Sequence, residues 1–169
     1  MINQILEDRE KRYNELLLIL KTYKMTVLCG KINYPGEDKN TEDVQLAFTI
    51  LARLLTKKFS SYLKHMKIIN GLDGPAIMMV LDMSAFEAKK KAVKIEALGD
   101  IGRVFDIDIY TENGSSIGRS DINMETRKCI ICGEDGRICT KIRKHPLEEV
   151  IAAFNDVIRD FAQMDELKI

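Results

Sequence analysis

Between Thr26 and Tyr110 the hydrophobic period of the chain switches repeatedly between that of a strand and that of a helix, and this alternation limits the possible folds more than any other feature. The run TVLCGKI (26–32) leans towards β structure and ends in NYPGEDKN, where Pro35-Gly36 signals a turn. A helix is expected to start near Asn40 or Thr41, either a good N-cap, with Val44, Ala47, Phe48, Leu51, Leu54, Leu55, Phe59 and Tyr62 as its buried stripe. KIINGLDGPAIMMVLDM then reads as a hairpin with strands near 67–70 and 75–82. Ser84 to Glu87 fits a capping box, and the helix it opens runs to about Leu98 and stops at Gly99. RVFDIDIY supplies the next strand, with ENGSS as its turn.

Amphipathic helices are expected on either side of this core. Residues 2–23 place Ile2, Ile5, Leu6, Arg9, Tyr13, Leu16, Leu17 and Leu20 at steps of three and four, and a last helix opening at Pro146 repeats the pattern with Leu147, Val150, Ile151, Phe154, Val157, Ile158 and Phe161. The order strand, helix, strand, strand, helix, strand predicts an α+β fold, a ferredoxin-like split βαββαβ core with an added N-terminal helix and a C-terminal loop plus helix. One domain over residues 1–169 fits that length. In such a sheet the first and third strands are expected to run parallel, with the second and fourth against them. The loop Asn33 to Gly36, Asp82, and the segment Arg103 to Asp106 would then share one edge of the sheet.

Lys+Arg and Asp+Glu both number 26, which argues against a bulk electrostatic grip on nucleic acid. The first dozen residues mix acids and bases, unlike a secretory leader, and no apolar run is long enough to span a membrane, so a cytoplasmic protein is expected. There four cysteines are thiols, reactive groups or metal ligands before they are disulfides.

Two stretches carry chemistry. In GRVFDIDIY the period of two puts Asp106 and Asp108 on one face and Phe105, Ile107 and Ile109 on the other. Two carboxylates so placed repel unless a divalent cation or arginines neutralise them, and Mg²⁺ suits two such oxygens plus substrate phosphates. The plainer alternative is a half-exposed strand whose aspartates face water, and Asp82 is either a third carboxylate or a simple strand end. In RKCIICGEDGRICTKIRKH, residues Cys129, Cys132, Cys139 and His145 form an acceptable Zn²⁺ set, against a reading of the cysteines as ordinary buried thiols. Cys29 reads as core. Between Arg127 and His145 six lysines and arginines face only Glu134 and Asp135, just ahead of a helix N-terminus, a setting that favours phosphate.

These motifs, in this order, resemble a known family. GRVFDIDIY, then SIGRSDI, then RKCIICGEDGRICTKIRKHPLEEV are similar to the central and C-terminal motifs of the holo-acyl-carrier-protein synthase of citrate lyase, the CitX family, and NYPGEDKN is similar to a stretch of its N-terminal part. Gly118 departs from that pattern, where Ser is frequent. The resemblance implies a phosphoribosyl-dephospho-CoA transferase that moves its group from 2′-(5″-triphosphoribosyl)-3′-dephospho-CoA to a serine of the citrate lyase acyl-carrier (gamma) subunit and releases diphosphate. On that reading Asp106 and Asp108 hold Mg²⁺ and Arg103, Arg119, Arg127, Arg143 and His145 neutralise phosphate oxygens. Asn33 and Lys39 line the pocket, and Asp108 or Asp82 takes the serine proton. Asp106, Asp108 and Arg103 are the expected catalytic set. The competing expectations are a non-catalytic zinc-containing module that binds a phosphate ligand, and a nucleotidyltransferase with another donor and acceptor.

Overall fold

The computed structural model describes residues 2–166, among which five α-helices flank a five-stranded antiparallel sheet. Helix α1 (Ile2–Tyr23) leads into β1 (Thr26–Ile32), and α2 (Glu42–Phe59) connects it to β2 (Leu63–Ile69). Strand β3 (Ala76–Leu81), α3 (Ala85–Glu96), β4 (Phe105–Tyr110) and the two-residue β5 (Ser116–Ile117) follow. A short α4 (Gly136–Lys141) and the long α5 (Leu147–Glu166) complete the chain as described.

The caps are where side-chain chemistry puts them. Thr41 Oγ1 accepts the Val44 N–H and Ser84 Oγ accepts the Glu87 N–H, each satisfying an amide that the first turn leaves unpaired. Ser84 also donates to the Glu87 carboxylate, closing the expected box. Helix α2 lies so close to β1 that a Cβ on Gly30 would sit 2.7 Å from Leu55 Cδ1.

The strands are ordered β2-β3-β1-β4-β5. Strand β1 pairs antiparallel with both β3 (Thr26 opposite Leu81) and β4 (Ile32 opposite Phe105). The expectation that the first and third strands run parallel is therefore wrong. The hairpin partner β3 inserts between β1 and β2, so the parallel companion of β1 is β2, two places away. One consequence matters for the site. Asp82 follows the end of β3 that lies beside Thr26, six strand positions or roughly 20 Å from the end where Ile32 meets Phe105.

The sheet buries both faces, unequally. Helices α2, α3 and α5 pack on the face carrying Leu28, Ile77, Met79, Phe105, Ile107 and Ile109. Tyr34 packs edge-on against Phe154, and Arg159 grips Asp43 with two hydrogen bonds, which ties α5 to the loop after β1 and to α2. On the opposite face only the second half of α1 takes part, with Leu16, Ile19 and Leu20 against Val27, Cys29, Met78 and Val80. Leu6, Tyr13 and Leu17, expected in its buried stripe, are exposed; among the described residues the first half of α1 contributes no buried residue to the core, and in the second half the buried face is Leu16, Ile19 and Leu20. The first half is held by charge instead, Arg9 and Arg12 both pairing with Asp73 at 2.9 and 2.7 Å. Beyond α1, the face of β1 and β4 that carries Lys31, Asp106 and Asp108 stays half open.

Strand β2 starts at Leu63, earlier than expected, because a 3₁₀ turn over Ser60–Tyr62 ends α2 abruptly and its weak alternation, typical of an edge, hides it in the sequence. The stretch after β4, expected to be irregular, contains β5 and α4.

Candidate functional site at the outer edge of β4

The period of two in β4 is observed directly: Phe105, Ile107 and Ile109 are fully buried while Asp106, Asp108 and Tyr110 are partly exposed on the other face. Their neutralising partner is Lys31. In the β1–β4 register Lys31 lies opposite Asp106 and Cys29 opposite Asp108, so one ammonium reaches both carboxylates, at 2.8 Å to Asp106 Oδ2 and 3.1 Å to Asp108 Oδ2. Burial works to raise the Asp106 carboxyl, but Lys31 and then Arg127 more than offset it and hold it below the usual range. For Lys31 burial works downward, and the two carboxylates win and push its pKa up. The pair thus has two oxygens converging on one cation position.

The outer edge of β4 is finished by side chains. Strand β5 pairs only with Ile109 and Tyr110, which leaves the Ile107 amide and carbonyl facing outward without a strand partner. Helix α3 supplies both. Buried Glu96 accepts the Ile107 N–H at 3.1 Å, and buried Lys89 donates to the Ile107 carbonyl at 2.8 Å. Unpaired backbone groups cost about as much as a lost hydrogen bond, so two ionised groups inside a helix stripe of alanines and valines are here a structural requirement.

Glu96 then organises the arginines. Its second oxygen receives Arg119 Nη2 at 2.6 Å, its first receives Arg127 Nη2, and Arg127 also stands 3.9 Å from Asp106 Oδ1. Gly102 brings the third guanidinium: a Cβ there would lie 2.5 Å from the Glu96 carbonyl oxygen, so only glycine lets the turn before β4 press on the end of α3 and set Arg103 beside Arg119 and Arg127. Burial, then the neighbouring Arg127, lowers the Arg103 pKa, and its Nη2 is buried with no hydrogen-bond partner. Two guanidiniums share one buried carboxylate, and the third, Arg103, keeps a buried nitrogen without a partner. Such a cluster suits an anion with several oxygens.

Behind it lie the cysteines. Asp135 caps α4 by accepting the Arg137 N–H, and the ligand atoms of Cys129, Cys132, Cys139 and His145 all lie within 4.8 Å of one another. Burial and the neighbouring thiols push Cys139 up to about 12. Cys129 is held down: burial works against this, while the Cys132 and Ile131 amides favour its thiolate. Cys29 sits apart in the core under α1, raised to about 11 by burial and chemically quiet.

The expected residues divide as follows. Asp106, Asp108, Arg103, Arg119 and Arg127 come together. Asn33 is exposed, but its amide donates to the Val104 carbonyl, so its loop flanks the start of β4. Lys39 instead binds the Tyr34 carbonyl and braces that loop from inside. Asp82 pairs with Lys64 at 3.0 Å at the far end of the sheet, which removes it as a candidate base, and Arg143 is exposed after α4 with φ +48°. His145 joins the cysteines. Lys31, Lys89 and Glu96 were missed. Glu96 and Lys89 share a stripe with Ala85, Ala88, Ala92 and Val93, and an ionised pair on an apolar stripe was the available signal.

The family model for apo-citrate lyase phosphoribosyl-dephospho-CoA transferase matches residues 1–161. The chain is 26% identical over 162 residues to Protein CitXG of Leuconostoc mesenteroides subsp. cremoris, and 27% identical over 165 residues to Protein CitXG of Haemophilus influenzae. These alignments cover 94% and 96% of the chain but 35% of each relative, so the chain spans about a third of their length. A probable apo-citrate lyase phosphoribosyl-dephospho-CoA transferase of Streptococcus pyogenes serotype M18 is 26% identical over 169 residues, covering 97% of the chain and 88% of that protein.

Proposed function

The chain belongs to the apo-citrate lyase phosphoribosyl-dephospho-CoA transferase family, and we propose that it moves the phosphoribosyl-dephospho-CoA group from its 5″-triphosphate donor to a serine of the citrate lyase acyl-carrier subunit. The serine oxygen forms a bond to the α-phosphorus, the bond from that phosphorus to the diphosphate bridge breaks, diphosphate leaves, and the serine proton passes to a carboxylate. The observation that carries this reading is the cluster of Arg103, Arg119 and Arg127 beside an acidic pair, with one guanidinium nitrogen buried and unpartnered.

Each group has a task that follows from its surroundings. Arg103 and Arg127 neutralise the oxygens of the triphosphate, whose charge grows on the leaving diphosphate. Arg119, held at 2.6 Å by Glu96, braces the cluster from behind. Asp108, less enclosed than Asp106, is the carboxylate for the proton, since Asp82 is at the wrong end of the sheet. Asp106 and Asp108 would hold Mg²⁺ through the two oxygens that Lys31 bridges, and the ion would supply charge neutralisation at the triphosphate.

The strand order β2-β3-β1-β4, with α2 and α3 as the crossing connections, supports reading the core as a ferredoxin-like split βαββαβ with β5 added outside β4. The four cysteines are free, which agrees with a cytoplasmic setting, and no described helix is long and apolar enough to cross a membrane.

Diphosphate release tests the chemistry. It should require the donor, the apo carrier subunit and a divalent cation together, and stop with EDTA or when ATP replaces the donor. Release from ATP without the carrier would point to a different nucleotidyl transfer.

A further inference from the structure

The segment from Met124 to Pro146 has little reason to hold its shape by packing. Ile138 and Ile142 are 57% and 62% exposed, Ile130 is the contact it makes with the main core, and the buried cysteine is Cys139. Yet it is sharply ordered around four side chains. Gly133, at φ +72°, lets the chain turn so that the Cys129 N–H donates to the Glu134 carbonyl at 2.6 Å and the Gly133 N–H to the Cys129 carbonyl at 3.0 Å, a turn that brings Cys129 and Cys132 to one side. Helix α4 adds Cys139. Then Arg143, in the left-handed region, reverses the chain, the Lys144 N–H donates to the Cys139 carbonyl at 3.0 Å, and His145 is turned back onto the thiols.

The separations are those of a metal set. A tetrahedral Zn²⁺ with Zn–S bonds of about 2.3 Å requires its sulfurs to lie about 3.8 Å apart. Cys132 Sγ and Cys139 Sγ are 3.6 Å apart, and no pair among the four ligand atoms exceeds 4.8 Å. His145 Nε2 is buried and has no hydrogen-bond partner, which for an imidazole inside a ring of thiols is costly unless a cation takes its lone pair. Three thiolates and one Zn²⁺ leave a net charge of −1, and Arg103 and Lys144 are close enough to feel these sulfurs and balance it.

We propose that Cys129, Cys132, Cys139 and His145 bind one Zn²⁺ as a closed, structural four-ligand centre that fixes the segment carrying Arg127 against Glu96. All four positions are protein ligands, so the ion has no open place for substrate and does no chemistry. It does for this segment what a core would do, joining the turn at Cys132, α4 and the start of α5. The proposal stands without the transferase reading, because its evidence is the ligand geometry; only the consequence for Arg127 touches that reading.

The test is the metal content of the full-length protein expressed with zinc supplied. The proposal expects one equivalent of zinc per chain, retained through gel filtration, lost in Cys132→Ser and kept in Cys29→Ser. Cobalt added to protein stripped of metal should give the visible ligand-field bands of tetrahedral thiolate coordination, a readout that does not depend on activity. Protein that carries no zinc, titrates four free thiols and gives no such bands with cobalt would overturn the proposal. An intact mass two hydrogens lighter, with a Cys132–Cys139 disulfide and no metal, would overturn it as well.

Discussion

At the scale of single residues, the sequence predicted the two aspartates on one face but not what stands between them. A period of two locates side chains on a strand; it says nothing about which residue the neighbouring strand brings opposite, so Lys31 was invisible until the β1–β4 register was known. Its double contact predicts a pH effect. The folded pKa of Asp106 is depressed below its ordinary value, so its share of stability is present above about pH 4 and is lost as pH falls through the lower folded value. Lys31, raised, contributes throughout that range and loses its share only in strong alkali. Asp106→Asn should therefore cost on the order of 1 kcal/mol in urea unfolding at pH 7 and progressively less as the pH is lowered below about 4. A penalty that stays constant across that range would mean the ion pair contributes nothing. In transfer assays the same variant should lose about 10²-fold or more while remaining folded.

At the scale of elements, the outer edge of β4 is where the chain spends buried charge. The starts of α2 and α3 were legible because caps are local: Thr41 and Ser84 sit where the helices start. The use of Lys89 and Glu96 was not, because it answers a gap in the sheet, where β5 is too short to cover Ile107. Glu96→Gln keeps the acceptor for the Ile107 amide but leaves two guanidiniums beside a neutral group, and should lower stability by about 3 kcal/mol in thermal or urea unfolding. Gly102→Ala should cost about 1 to 3 kcal/mol, since the backbone of α3 must move to admit a methyl group. It should also weaken donor binding by displacing Arg103, and a variant with native stability and native affinity would refute the packing role given to Gly102. The short α4 was missed because a single turn of helix anchored on Asp135 and cysteines lacks an amphipathic stripe.

At the scale of the whole molecule, the order of elements and the α+β class could be read from the sequence, while strand direction could not. A crossing helix that skips a strand gives the same periodicity whichever way the intervening hairpin inserts, and the assumed parallel β1 and β3 moved Asp82 to the wrong end of the sheet. Arg103, Arg119 and Arg127 converge because Gly102, β5 and the cysteine segment all return to the β4 edge, whereas Arg143 and His145, expected with them, lie outside the cluster. Together the three make one cationic surface beside the acidic pair. The central claim is that a carrier serine is modified at this surface. The most direct measurement is the intact mass of apo citrate lyase carrier subunit after incubation with the protein, the triphosphoribosyl-dephospho-CoA donor and Mg²⁺. The account predicts a gain equal to one phosphoribosyl-dephospho-CoA group, absent with EDTA and with Asp106→Asn; an unmodified carrier, with donor and carrier both shown to be competent, would contradict it.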